Sequence, residues 1–125
     1  MKLAIVVNDK LMMSYDRSVE LPEKQQQYLQ KLDIKFEQGI QLQEVDIPSP
    51  NMEQRAKFMA FSLMEGILYQ EDSMAAASMA WLANRLPDLK QLIAHVDHDG
   101  TQFELDFDHE YVENQFTVEL SRTLH

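Results

Sequence analysis

The chain has 125 residues, 45% of them hydrophobic, no cysteine and a net charge of −10. That length suits a single α+β domain over 1–125 whose core needs no crosslinks; lack of cysteine excludes disulfides, thiolate catalysis and cysteine-ligated metals. The charge argues against nucleic acid or an anionic membrane as a direct partner, and no window approaches the roughly 18 apolar residues of a membrane span.

Lys2 to Val7, rich in branched side chains, is predicted as the first strand. The apolar run Leu3–Val7 is too short for the core of a signal peptide. Asn8 to Glu20 carries Leu11, Met12 and Met13 and is expected to be a loop folding back over the core. A first helix follows from about Pro22 to Gln41 or Gln43. Proline suits its first turn, and Leu21, Gln25, Tyr28, Leu29, Leu32, Phe36 and Ile40 recur at three- and four-residue intervals. Gly39 marks a bend or an early end of that helix.

Glu44 to Met52, with two prolines, reads as an inter-helix connection. The second helix is expected to start with Ser49 as N-cap and Pro50 at the first helical position, and to reach Tyr69 or Gln70. Its inward stripe is Met52, Ala56, Met59, Ala60, Leu63, Met64, Ile67 and Leu68. The third helix runs from an Asp72 N-cap to about Arg85. Its alanines and serines lie on more than one face, which makes it the candidate central helix, with Trp81 near its end.

After Leu86-Pro87 the period falls to two. Leu92, Ala94 and Val96, then Phe103, Leu105 and Phe107, then Phe116, Val118 and Leu120 each alternate with more polar residues. Asp99-Gly100 signals a hairpin turn between the first two of these runs. The predicted fold is α+β: an antiparallel three- or four-stranded sheet with about three helices packed on one face. The N-terminal strand would join that sheet at an edge or in its middle.

The candidate sites lie mostly in the acidic C-terminal third. From Gln91 onward Arg122 is the lone Lys or Arg against eight carboxylates, a local charge of −7. The stretch Asp97–Glu110, DHDGTQFELDFDHE, does not fit an EF-hand loop, because glycine comes at the fourth position instead of the sixth. Strand rise separates Asp99 from Asp108 and His109 by roughly 25–30 Å, so one ion cannot hold both ends. Asp97, His98 and Asp99 then read as turn chemistry. Asp106, Asp108, His109, Glu110 and Glu113 remain as candidate ligands for a weak Mg²⁺ or Ca²⁺ site.

No glycine-rich phosphate loop, HExxH or nucleophile elbow is present, so Ser14, Ser62 and Ser78 cannot be matched to His95 or His98 as a catalytic set. Asn8-Asp9-Lys10, at a strand's C-terminal end, is a further position where site residues occur. The abundant methionines suit an irregular core and also adaptable contact surfaces. A groove left between the three helices would accept a partner helix or a second copy, with Met12, Met13, Tyr69 and Trp81 as contact residues. The functional expectation is a small acidic cytoplasmic protein of accessory or regulatory type acting through protein–protein contact, including self-association as a homodimer. The alternative is a divalent-cation-dependent small enzyme, or a metal- or ligand-binding protein, using the acidic C-terminal strands.

Overall fold

A computed structural model describes residues 2–112. Its elements, in chain order, are β1 (Lys2–Val7), β2 (Lys10–Asp16), α1 (Glu23–Glu37), β3 (Ile40–Leu42), β4 (Val45–Ile47), α2 (Met52–Leu68), α3 (Asp72–Arg85), β5 (Gln91–Asp97) and β6 (Gly100–Asp106). The result is a mixed α+β fold. A four-stranded sheet has the order β2-β1-β5-β6, and β3 with β4 forms a separate two-stranded hairpin.

β1 joins the sheet in its middle, antiparallel to β2 and parallel to β5. The central pair is therefore parallel, not antiparallel as the alternation alone suggested. β2, three helices and the β3–β4 hairpin separate β1 from β5, a connection long enough to return the chain in the same direction. One side of the sheet carries Leu3 and Ile5 on β1, Leu92 on β5, and the partly buried Met13, Tyr15, Phe103 and Leu105. All of these pack into one apolar cluster with the helices.

The segment expected to be a loop contains β2. Asn8 and Asp9 both have positive φ, 49° and 68°, the pattern of a two-residue type I′ hairpin turn. Asn and Asp tolerate that conformation better than other non-glycine residues. Asn8 does more than turn the chain: its side-chain oxygen accepts from Val96 N–H at 2.9 Å, and its Nδ2 donates to Val96 C=O at 3.1 Å. The residue thereby extends the β1–β5 ladder, which is a structural use for the Asn8-Asp9-Lys10 stretch.

α1 ends at Glu37, short of the expected Gln41. Gly39, with φ +98°, closes it, and a β-carbon there would come 3.1 Å from Ile47 C=O. The chain then makes the β3–β4 hairpin over Ile40–Ile47, where a helix end and a loop were expected. Its turn residues Gln43 and Glu44 also have positive φ, 50° and 68°.

α2 begins two residues later than expected, with Asn51 as N-cap. Asn51 Oδ1 accepts from Gln54 N–H at 2.8 Å, and Gln54 Oε1 accepts from Asn51 N–H at 2.9 Å. That reciprocal capping box satisfies two backbone donors, which Ser49 does not do. α3 starts at Asp72, with Glu71 at the cap position.

α3 is the central helix. Ala75, Ser78, Met79, Ala80, Trp81, Leu82 and Ala83 are buried, covering more than one of its faces. Small residues let α2 approach closely: a β-carbon on Gly66 would stand 2.7 Å from Ala75 N. Trp81 packs edge-on to Phe36 of α1, which packs edge-on to Phe58 of α2. The expected third strand of the C-terminal meander, Phe116 to Leu120, lies outside the described residues.

Candidate functional site

Two polar clamps set how the helices sit. Asp33 on α1 accepts from the Trp81 indole N–H through Oδ1 at 2.9 Å and from Arg85 Nε through Oδ2 at 2.8 Å. Arg85 Nη2 also lies 2.8 Å from Oδ2, so the ion pair is two-pronged. This pins the C-terminal half of α1 to α3. The second clamp is Arg17, just after β2. It donates to Ala83 C=O at 3.2 Å, Leu86 C=O at 3.0 Å and Leu89 C=O at 2.6 Å. The cation thus meets carbonyls at and beyond the end of α3, where a helix leaves acceptors unpaired and its dipole is negative. Burial pushes the guanidinium below its ordinary value, and Asp88 opposes that shift.

With its far half pinned, α1 stands off from the start of α3. A groove of about 970 Å³ opens between α1, α2 and α3. Leu29, Leu32, Phe58 and Met59 form its apolar side, and Ala76, Ala77 and Ala80 of α3 line it with little more than backbone. Its lining includes a part-buried polar contact, in which Ser78 donates to Ser62 at 3.0 Å. Lys24 on α1 and Glu71 and Asp72 at the start of α3 give the rim both signs of charge. The cause is local sequence: the alanine run of α3 supplies helix propensity without side-chain volume to fill the space against α1. A second groove, about 570 Å³, lies between α2 and β6.

The structure distributes the sequence-predicted contact residues. Met12 is 48% exposed and Tyr69, at the C-terminal end of α2, is 73% exposed. Met13 turns inward and packs against the core. Trp81 must be corrected: it is 0% exposed, with its ring against Phe36 and its N–H held by Asp33. A side chain whose area and donor are both used within the fold offers no surface anchor. The four residues do not converge on one patch, because Trp81 is sealed and Met13 faces the core.

The acidic cluster resolves into turn hydrogen bonds. Asp106 Oδ1 accepts from the N–H groups of Asp108 at 2.9 Å and His109 at 3.0 Å, and the His109 ring Nδ1 lies 3.3 Å from both carboxylate oxygens. The Asp108 N–H bond, the His109 N–H bond and the His109 ring hold the Asp106 carboxyl below its ordinary value. Asp108, His109 and Glu110 are exposed. Glu113 lies outside the described residues. Among the described residues, no three His, Asp or Glu side chains are grouped so as to hold a metal ion. At the hairpin tip, Asp97 Oδ1 accepts from Asp99 N–H at 2.8 Å, an Asx turn.

Arg17 and the α1–α3 groove are the features that sequence patterns missed. The groove was legible only as an alanine-rich helix beside an amphipathic one. Arg17 had no local signal, because its acceptors lie 66 to 72 residues away. No helix of the described residues is long and apolar enough to cross a membrane. No protein-family model, curated protein or solved structure matches the chain.

Proposed function

We propose that the chain is an accessory or regulatory protein that acts by protein–protein contact, seating an amphipathic helix of its partner in the α1–α2–α3 groove. The observation that carries this reading is the groove itself, about 970 Å³, with Leu29, Leu32, Phe58 and Met59 on an apolar side and Ala76, Ala77 and Ala80 in its lining. Small residues let a second helix backbone approach closely, and apolar anchors at helical spacing would enter beside Leu32 and Phe58. The rim charges Lys24, Glu71 and Asp72 would set the direction of the incoming helix more than its affinity. The acidic, cysteine-free composition supports a reducing cytoplasm as the place of action, with no part for nucleic acid or membrane.

The test uses Ala76→Arg, which puts a long charged side chain into the groove from an exposed position. The native chain should retain a partner from a native lysate, and the variant should lose it by about tenfold or more while melting at the same temperature. Equal retention by both chains would overturn the reading, as would an absence of partners combined with a monomer in sedimentation. A concentration-dependent dimer abolished by Ala76→Arg would identify the occupant as a second copy.

A further inference from the structure

β6 pairs with β5 residue for residue, from Gln91 opposite Asp106 to Asp97 opposite Gly100, without a bulge. It ends the sheet order, and its outer edge has no strand partner among the described residues. A regular strand presents alternate N–H and C=O groups outward, a ready ladder for one more strand. The smaller groove, about 570 Å³, lies between this strand and α2. Met52, Ala56 and Ala60 line it from the helix, and Phe103, Leu105 and Phe107 from the sheet side. Phe61 of α2 packs edge-on to Phe103, with ring centroids 4.8 Å apart, which fixes that wall. Met52 and Phe107 are exposed, so the apolar strip is open to solvent. The four steps from Phe103 to Phe107 span about 13 Å, room for three side chains of an extended segment at i, i+2 and i+4.

The two faces of β6 differ in chemistry. Gln102 and Glu104 alternate with Phe103 and Leu105 and stand exposed on the face away from the helices. From Gln91 to Val112 the chain carries the carboxylates of Asp97, Asp99, Glu104, Asp106, Asp108 and Glu110 and no Lys or Arg. In the groove itself Glu53 and Lys57 carry one charge of each sign. Negative charge therefore lies on one face of the edge and apolar surface on the other. A second copy would bring the same carboxylates alongside, and like charges oppose such pairing. A segment that alternates apolar and basic residues matches both faces at once, while its backbone takes up the open ladder.

We propose that the outer edge of β6 receives an extended segment of another protein in which apolar residues alternate with lysine or arginine. The apolar side chains enter the groove against α2, and the basic ones lie beside Glu104 on the opposite face. This contact is independent of the helix assigned to the larger groove, with which it shares no lining residue.

The test is an NMR titration of the full chain with a blocked seven-residue peptide alternating lysine and valine. That peptide should bind at least tenfold more tightly than its counterpart alternating glutamate and valine. The β6 amides that point away from β5 should then exchange about tenfold or more slowly. Glu104→Lys, at an exposed position, should weaken the lysine peptide about threefold to tenfold and strengthen the glutamate one. N-methylated throughout, the lysine peptide keeps its charge but loses its N–H donors and should not bind. Equal affinity for the two charged peptides would overturn the proposal, as would undiminished binding of the N-methylated one. Outward amides already protected in the free chain would also overturn it, because the edge would then be taken by this chain itself or by a second copy.

Discussion

The two outer strands of the sheet, β2 and β6, are built to opposite plans. β2 is interrupted: its register with β1 shifts between Ile5 and Val6, leaving Met12 as the extra residue of a bulge. Lys10 and Asp16 put charge at both its ends, and Arg17 immediately beyond ties the strand's exit to the end of α3. β6 is regular along its whole length and borders an apolar groove. A bulge twists an edge and spoils its fit to another strand, so β2 can stand exposed. A straight edge beside apolar side chains has no such protection and calls for a cover. The contrast teaches that the two edges of one sheet can differ in kind, one irregular by a bulge and the other regular and bordered, among the described residues, by an apolar groove.

The comparison breaks most severely at Arg17. Arg17→Ala would leave the carbonyls of Ala83, Leu86 and Leu89 without their charged donor. The expected loss is about 2–4 kcal/mol in urea unfolding, because partly buried acceptors would lose charge-assisted bonds. Arg17→Lys should recover little of it, since a single ammonium cannot span three acceptors. A loss under about 0.5 kcal/mol would show that the clamp is incidental.

Deleting Met12 should sharpen the contrast with a smaller effect on stability, about 1 kcal/mol either way. The straightened β2 would become a regular edge, and sedimentation should show a mass that rises with concentration where the parent's does not. If the deletion leaves the mass unchanged, the bulge is not what protects this edge.

The smallest effect concerns how the two strands end. Both finish on an aspartate that accepts from the N–H two residues on: Asp16 from Ser18 at 2.9 Å, and Asp106 from Asp108 at 2.9 Å. The Ser18 hydroxyl, then its N–H, holds the Asp16 carboxyl below its ordinary value, and the Asp108 N–H is the first cause of the same direction at Asp106. A carboxyl whose folded pKa lies below its unfolded value of about 3.9 stabilises the fold above that pH. The contribution fades as pH falls through the folded pKa. Asp16→Asn and Asp106→Asn should therefore each flatten the loss of stability below about pH 4, measured by urea titration at stepped pH. An unchanged acid limb in both would remove these turns from the account.

Much of the framework was legible because its causes are local. Branched side chains marked β1, period-two alternation marked β5 and β6, helical periodicity marked α1 and α2, and an alanine- and serine-rich run marked α3. β2 has a local signal in Asn8-Asp9, which lies between two apolar runs and suits a type I′ turn. Gln43-Glu44 carries none, since neither residue favours positive φ, and local sequence there suggests a helix end and a connection in place of the β3–β4 hairpin. Strand length divides the acidic cluster into two ends, while the use of Asp97 and Asp106 in turn hydrogen bonds is visible only in the structure.

By itself the sequence determined which stretches are amphipathic and why the chain has no cysteine chemistry, and it offered Gly39 as a bend or early end of a helix otherwise read on to Gln41 or Gln43. Those outcomes depend on neighbours a few residues apart, so local sterics and alternation suffice. Only the tertiary structure decided the parallel β1–β5 pairing, the burial of Trp81 on Asp33, the reach of Arg17 to α3 and the groove that α1 leaves open. Each of these joins groups distant along the chain, and each is settled by which surfaces pack together, a choice no local pattern encodes.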